Sequence, residues 1–228
     1  MYMVKYHHEK FGMKKLTFVF VAILASFYCI AQSQYAFVFL NKKENKDTLT
    51  AEARKALMEG HLANINRLAR EKKLLVAGPF EGGGGIFILN TTSIDEAKNW
   101  LRTDPGIQAN RWNLEILPFT LRFGSICEVP ETAEMVMYNF VRFTPRITKF
   151  NVKTASATLR EHDLYVDKVL SAGNGIAEGV FEQQSGGIVI VKGELDKSVV
   201  EQSPAVLSSL LTYEIMKLWI AKGSFCER

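Results

Sequence analysis

Hydrophobic and polar residues recur along the chain with two different periods, and the changes of period mark the predicted elements. Aromatic and aliphatic residues fill positions 35–40, which predicts a strand, and residues 50–72 carry apolar positions at helical spacing. Thr48 or Thr50 is a suitable cap for this helix, and Ser93 with Glu96 three residues later is a capping box for a second one. Further strands are predicted at residues 73–80, 85–90 and 112–123, and the second helix is expected to end near residues 104–105.

The same order of elements occurs a second time, about 100 residues further along the chain. His61 is followed after seventeen residues by Gly78, and His162 is followed after seventeen residues by Gly179. The two copies also end alike, with Gly124 to Glu128 matching Gly223 to Glu227. In the second copy the predicted strands are residues 137–143, 175–181, 187–192 and 212–221, with a helix at 152–172 and a less regular helical stretch around 195–209. The chain therefore contains an internal duplication.

Each copy has the order βαββαβ, which is the ferredoxin-like α+β unit. Such a unit has helices on one face of its sheet, so the other face also needs a cover. The first strand is apolar on both faces, with Phe37 and Phe39 on one and Ala36, Val38 and Leu40 on the other. We expect the second copy to supply that cover. The predicted fold is two tandem ferredoxin-like units packed sheet against sheet as a pseudo-dimeric α+β barrel, either monomeric or weakly homo-oligomeric.

The N-terminus has the pattern of a secretory signal peptide. Lys14 and Lys15 precede a mainly apolar run from Leu16 to Ile30, and Ala31 is a suitable cleavage point. An uncleaved membrane anchor is the alternative. We therefore expect an exported protein, periplasmic or extracellular, without a membrane segment after cleavage. The predicted domains are a signal peptide over residues 1–31, repeat 1 over 32–124, a linker over 125–136 and a degenerate repeat 2 over 137–228.

Composition supports a globular protein, since 47% of the residues are hydrophobic and 23% are charged. The formal net charge is +4, and it falls to +1 when the four lysines and one glutamate of residues 1–31 are removed. A nucleic-acid partner is not expected, because no basic stripe with interleaved aromatic residues remains. Cys127 and Cys226 occupy equivalent positions after the last strand of each copy. Export would permit a disulfide between them, but the sequence alone leaves two free thiols open.

Residues 32–228 contain two histidines, His61 and His162, at the same position of the two copies. Imidazole suits proton transfer near neutral pH, and a carboxylate at one ring nitrogen would fix the tautomer of the other. Asp104 is the candidate carboxylate in repeat 1, whereas repeat 2 has Ser203 at that position. We therefore expect a catalytic His61–Asp104 pair in repeat 1 and a repeat 2 that mainly completes the barrel.

The stretch from His61 through Leu74-Leu75-Val76-Ala77-Gly78-Pro79, followed by a glycine turn and by Asp104-Pro105, resembles the YciI-like (YCII-related) family over roughly residues 35–120. Repeat 2 resembles it more loosely, through His162, Gly179 and Ser203-Pro204. The resemblance implies a dimeric α+β barrel with a histidine and an aspartate in a cleft, proposed as a catalytic pair. By position these are His61 and Asp104, with Arg54 as a weaker cleft residue. A few relatives are dehydrochlorinases or act near muconolactone isomerases.

No cofactor or metal is predicted. The run Gly82 to Gly85 joins two strands and lacks a following Lys-Ser or Lys-Thr, so it is a turn rather than a phosphate loop. The histidines and cysteines do not have the spacing of a zinc site. Three functions stay open: a lyase or isomerase that transfers a proton through the His–Asp pair, a module that binds a small molecule in the barrel cleft, and a structural protein. Whether the chain is an enzyme is left undecided.

Overall fold

The computed structural model of the chain describes residues 34–44, 48–130, 132–146, 152–182 and 186–226. The predicted signal peptide lies outside these residues. The strands are β1 Gln34–Lys42, β2 Leu74–Pro79, β3 Gly85–Leu89, β4 Trp112–Phe123, β5 Met135–Pro145, β6 Gly175–Phe181, β7 Gly187–Val191 and β8 Leu211–Ala221. The helices are α1 Ala51–Arg70, α2 Ile94–Leu101, α3 Pro105–Gln108, α4 Val152–Val169 with a π-helical end at Leu170–Asn174, α5 Lys197–Glu201 and α6 Pro204–Leu207.

Side-chain caps explain where the first two helices begin. The Thr50 hydroxyl accepts a hydrogen bond from the Ala53 amide at the start of α1, and the Ser93 hydroxyl accepts one from the Glu96 amide at the start of α2. The Ser93 cap was predicted, and of the two candidates for α1 the structure has Thr50. The short helix α3 was not predicted as a separate element. It is capped by Asp104 and has Pro105 at its first position, where the absent amide proton costs nothing.

The eight strands form a closed barrel. Within each repeat the four strands are antiparallel, in the order β2-β3-β1-β4 and β6-β7-β5-β8. The two sheets join directly where β4 pairs with β6, with Phe119 opposite Phe181. They meet again on the opposite side, where Phe80 bridges Leu218. The predicted pseudo-dimeric α+β barrel is therefore confirmed.

The space enclosed by the barrel is filled by phenylalanine side chains from both repeats. The ring centroids of Phe37 and Phe39 lie 4.8 Å apart, and the ring of Phe37 lies 5.4 Å from that of Phe181. Phe119 and Phe140 pack against the same group and are buried. Aromatic pairs of this kind stabilise the folded protein by more than the burial of their apolar surface alone. These rings form the core of the barrel.

Helices cover the outer faces of the two sheets, and a disulfide ties the repeats together. Cys127 and Cys226 are joined in a bond whose Cα atoms are 5.3 Å apart, which decides the question that the sequence left open. The neighbouring residues Ile126 and Phe225 also form a strand-like bridge. Within the described part of the chain, none of the helices has the length and apolar character needed to cross a membrane.

Candidate functional site

Repeat 1 brings its predicted pair together. The Nδ1 atom of His61, on α1, lies 2.8 Å from Oδ2 of Asp104, whose side chain is fully buried. The other carboxylate oxygen of Asp104 accepts hydrogen bonds from the amides of Gly106 and Ile107. A carboxylate offers only acceptors, so neutral His61 carries its proton on Nδ1 and its lone pair on Nε2. Asp104 thus both caps α3 and fixes the tautomer of His61.

Aromatic rings fill the space beside His61. The Trp112 ring centroid lies 5.0 Å from that of His61, and the Phe87 ring is stacked at 6.1 Å. Trp112 also presses on Gly106, where an added Cβ would come within 2.5 Å of the indole. His61 is accordingly 8% exposed. Arg54, the weaker candidate, is exposed in the first turn of α1.

In repeat 2 the histidine Nδ1 contacts the residue at the equivalent position, which is a serine instead of an aspartate. The Nδ1 atom of His162 lies 2.5 Å from the hydroxyl oxygen of Ser203. Burial lowers the pKa of His162 to about 4, with Asp163 opposing this shift and Arg122 adding to it. The imidazole is therefore neutral at pH 7. A hydroxyl both donates and accepts, so Ser203, unlike Asp104, does not fix the tautomer.

A cavity of about 260 Å³ opens beside His162. It lies between α4 and the outer face of the repeat 2 sheet, and neither His61 nor Asp104 lines it. Its apolar wall includes Phe143, Leu159, Val166, Val189 and Leu211, and its polar groups are His162, Asp163, Glu178 and Arg122. Among the described residues, Nε2 of His162 has no hydrogen-bond partner. The cavity thus lies in repeat 2, whereas the sequence pointed to repeat 1 as the equipped copy.

The two repeats differ in how they fill this space. Phe87 is paired with Val38 in repeat 1, and Val189 is paired with the equivalent Val141 in repeat 2. Trp112, at the start of β4, corresponds in the same way to Leu211 at the start of β8. Both ring-bearing residues are therefore replaced by smaller aliphatic ones. The two rings beside His61 have no counterpart at these positions in repeat 2, although the ring of Phe143, at the position of Leu40, lies 4.9 Å from that of His162.

One side chain of this cavity comes from repeat 1. Arg122, near the end of β4, places its Nε 3.1 Å from both carboxylate oxygens of Glu178 and its Nη2 3.0 Å from Asp163. Burial alone would lower the pKa of Arg122, but the hydrogen bonds that it donates to the two carboxylates outweigh this effect, so the pKa lies above its ordinary value. Burial raises the pKa of Glu178, although Arg122 opposes that shift. The site is complete only because both repeats belong to one barrel.

Sequence reasoning missed Arg122 and Glu178. The signal for Glu178 was present, since it is a charged residue inside an apolar strand at the position where repeat 1 has Ala77. No such signal marked Arg122, because only the pairing of β4 with β6 brings it to Glu178. Among the described residues, no group of three or more His, Cys, Asp and Glu side chains is arranged to hold a metal ion.

Comparison of this chain with known proteins yields one family match and several distant structural likenesses. Residues 36–120 match the model of the YCII-related domain. No curated protein matches the chain significantly. A candidate monooxygenase from Fusobacterium nucleatum subsp. nucleatum is 9% identical, with a TM-score of 0.42 over 83% of this chain and 92% of that chain. A novel heme-binding protein from Thermus thermophilus is 11% identical, with a TM-score of 0.47 over 83% of this chain and 91% of that chain.

Likeness at this level says nothing about substrate or cofactor. The family match is more specific, because it spans His61, Gly78 and Asp104, the residues on which the resemblance rested. The similarity of repeat 1 to the YCII-related domain family is thus confirmed over residues 36–120.

Proposed function

We propose that this protein binds a small, mainly apolar molecule in the cavity beside His162. The observation that carries the proposal is the cavity itself, about 260 Å³ bounded by aliphatic and aromatic side chains with an unpartnered imidazole nitrogen on its wall. Ligand sites of proteins combine these features, a concave apolar lining with a few polar groups that orient the ligand. The volume is below the range of drug-sized sites, which suits a ligand of roughly a dozen heavy atoms.

The chemistry of His162 favours binding over catalysis. A general base works best when its pKa lies near the operating pH, and a pKa of about 4 leaves His162 a weak base at neutral pH. Its Ser203 partner leaves either nitrogen free to carry the proton. His162 can therefore donate one hydrogen bond to a ligand or accept one from it. This is the behaviour of an adaptable binding group.

A thermal-shift screen of small apolar molecules tests the proposal. A ligand that binds the native state raises its unfolding temperature by mass action. The matched variant is Val189→Phe, which places in repeat 2 the ring that repeat 1 carries at this position. The control variant is Leu207→Phe, which changes a 70% exposed side chain. We expect hits to raise the unfolding temperature of the natural protein and of Leu207→Phe but not that of Val189→Phe. Hits that stabilise all three proteins equally would contradict binding in this cavity.

A second function, proton transfer by His61 with Asp104, has one observation in its favour. The 2.8 Å contact to a buried carboxylate leaves Nε2 of His61 as the basic nitrogen, which is the arrangement of a general base and its orienting group. The surrounding rings of Trp112 and Phe87 argue against it, since they take up the room a substrate would need. Incubation of candidate carbon acids in D₂O tests it by NMR. Deuterium uptake that is lost in His61→Gln and in Asp104→Asn would support the enzyme.

We also propose that the protein is exported. The apolar segment after Lys14 and Lys15 supports this, and so does the Cys127–Cys226 bond, because disulfides persist mainly in oxidising compartments. Fractionation of cells that express the full chain, with N-terminal sequencing of the product, tests the proposal. A mature protein outside the cytoplasm that starts at Gln32 is expected. Full-length protein in the cytoplasm would contradict export.

A further inference from the structure

Among the described residues, the cation that lines the repeat 2 cavity is already paired with protein carboxylates. Arg122 is the one positively charged residue of this described lining, because His162 is neutral. The Nε and Nη2 atoms of Arg122 are hydrogen-bonded to Glu178, and Nη2 also contacts Asp163. An anionic ligand would therefore meet a guanidinium whose charge is already shared by two protein carboxylates.

Negative charge is in excess around Arg122. Two carboxylates, Asp163 and Glu178, face one guanidinium in the described cavity lining, which leaves one negative charge. Asp167, one turn further along α4, lines an adjoining pocket of about 250 Å³ together with Arg122, Asp163 and Glu178. It also acts on Glu178 electrostatically. A positive group placed here would be stabilised by an excess of acidic side chains in a partly desolvated setting.

The lining of the cavity combines acidic groups with apolar side chains. Glu178 is buried, whereas the Asp163 side chain is 45% exposed, so the acidic edge leads from the interior to solvent. The rest of the lining is largely apolar and includes the ring of Phe143 and the side chains of Leu211 and Val189, the cross-strand neighbour of Glu178. A hydrated metal ion would leave that wall without a partner. An organic molecule with an apolar body and one charged end would satisfy both parts.

From this arrangement we infer that the ligand of the cavity is an apolar organic cation, such as a protonated aromatic or aliphatic amine. Its ammonium group lies at the acidic edge near Asp163 and Glu178, and its body lies against the apolar wall. This inference rests on the proposed function, and it narrows the ligand from small apolar molecules in general to cationic ones. The unpartnered Nε2 of His162 is available to a second polar group of the ligand.

Three probes with one shared body test the charge preference by calorimetry with the full chain. Tryptamine, 3-ethylindole and indole-3-propionate share the indole ring and a two-carbon arm and differ in charge at the end. We expect tryptamine to bind about tenfold more tightly than 3-ethylindole, as one desolvated charge pair allows, with indole-3-propionate weakest. Equal affinities, or tightest binding of the propionate, would overturn the cationic class while leaving a binding cavity in place. Failure of all three probes together with an empty thermal-shift screen would instead overturn the proposed function.

Variants at the acidic edge provide the second test. Asp163→Asn is expected to weaken tryptamine binding by roughly 3- to 10-fold, to leave 3-ethylindole within about twofold, and to improve indole-3-propionate because Arg122 is partly freed. Asp95→Asn, at a 90% exposed side chain on α2, is the matched control and should change none of the three. Asp167→Asn, at an exposed position, gives the same test with a smaller effect if Asp163→Asn does not fold. Equal loss for the charged and neutral indoles would show that Asp163 acts through structure alone.

Discussion

Val189 occupies in repeat 2 the position that Phe87 occupies in repeat 1. Each lies in the third strand of its repeat, opposite a valine of the first strand, Val141 or Val38. The Phe87 ring is stacked near His61, whereas Val189 forms part of the cavity wall beside His162. Duplication thus kept the histidine twice, and a difference in side-chain size beside it separates a filled position from an open one.

Shortening Phe87 should open the corresponding space in repeat 1. Phe87→Val replaces a buried aromatic ring with an isopropyl group. We expect a loss of about 2–3 kcal/mol in the free energy of unfolding, in the range of large-to-small core substitutions. Val189→Ala, at the matched position, should cost less because its site is already open on one side. Urea denaturation of both variants measures the difference. Equal losses would mean that the Phe87 ring does not fill a closed space.

The low pKa of His162 makes stability depend on pH. Its pKa is about 4 in the folded protein and about 6.5 when unfolded, so the unfolded state binds the proton first as the pH falls. Full stability is present above pH 6.5, and about 3 kcal/mol should be lost between pH 6.5 and pH 4. Removing the titrating ring in His162→Gln should flatten the profile in this window.

Denaturation of the natural protein and His162→Gln at several pH values checks this. Burial raises the pKa of Glu178, which favours the folded state on acidification and so acts in the opposite sense. The difference between the two profiles, rather than either profile alone, therefore isolates His162. Parallel profiles from pH 7 to pH 4 would show that the imidazole is not held neutral by burial.

Asp104 should matter more for stability than an ordinary helix cap. It caps α3, contacts His61 and accepts a hydrogen bond from Asn64, all from a fully buried position. Asp104→Ala is expected to cost about 2–4 kcal/mol, since a cap is lost and buried partners are left unpaired. Asp196→Ala removes only an exposed cap of α5 and should cost clearly less. Thermal and urea denaturation compare the two, and similar losses would argue against a buried His61–Asp104 contact.

The Cys127–Cys226 bond should stabilise the barrel by limiting the unfolded chain. The two residues are separated by 99 positions, and a disulfide closing a loop of this length contributes about 2–5 kcal/mol. The double variant Cys127→Ser with Cys226→Ser should unfold at correspondingly lower denaturant. Reduction of the natural protein should have a similar effect and should leave the double variant unchanged. Mass mapping without reductant that finds both thiols free would contradict the bond.

Much of the fold could be predicted because its signals are local. The caps at Thr50 and Ser93 and the apolar periodicity of the strands act within a few residues, and the matching copies implied the pairing of the sheets. Asp104 was placed as the partner of His61, but its role as a cap of α3 was missed. A cap followed by Pro105 is a recognisable helix start.

The cavity was harder to predict because it depends on distances between residues far apart in sequence. Comparison of the two copies shows Val189 against Phe87, yet only the packed structure shows that the ring lies beside the histidine. Arg122 and Glu178 are 56 positions apart and meet because of the register between β4 and β6. Side-chain volume and inter-repeat register therefore moved the candidate site from repeat 1 to repeat 2.

Ligand binding beside His162 is tested most sharply by an NMR titration that follows the two histidines separately. The protein is labelled with ¹⁵N-histidine, the ring signals are assigned with His61→Gln and His162→Gln, and the strongest ligand of the thermal-shift screen is added. We expect the ring signals of His162 to shift in a saturable way while those of His61 stay in place. A saturable shift of His61 with an unmoved His162 would place the ligand in repeat 1 and contradict binding beside His162.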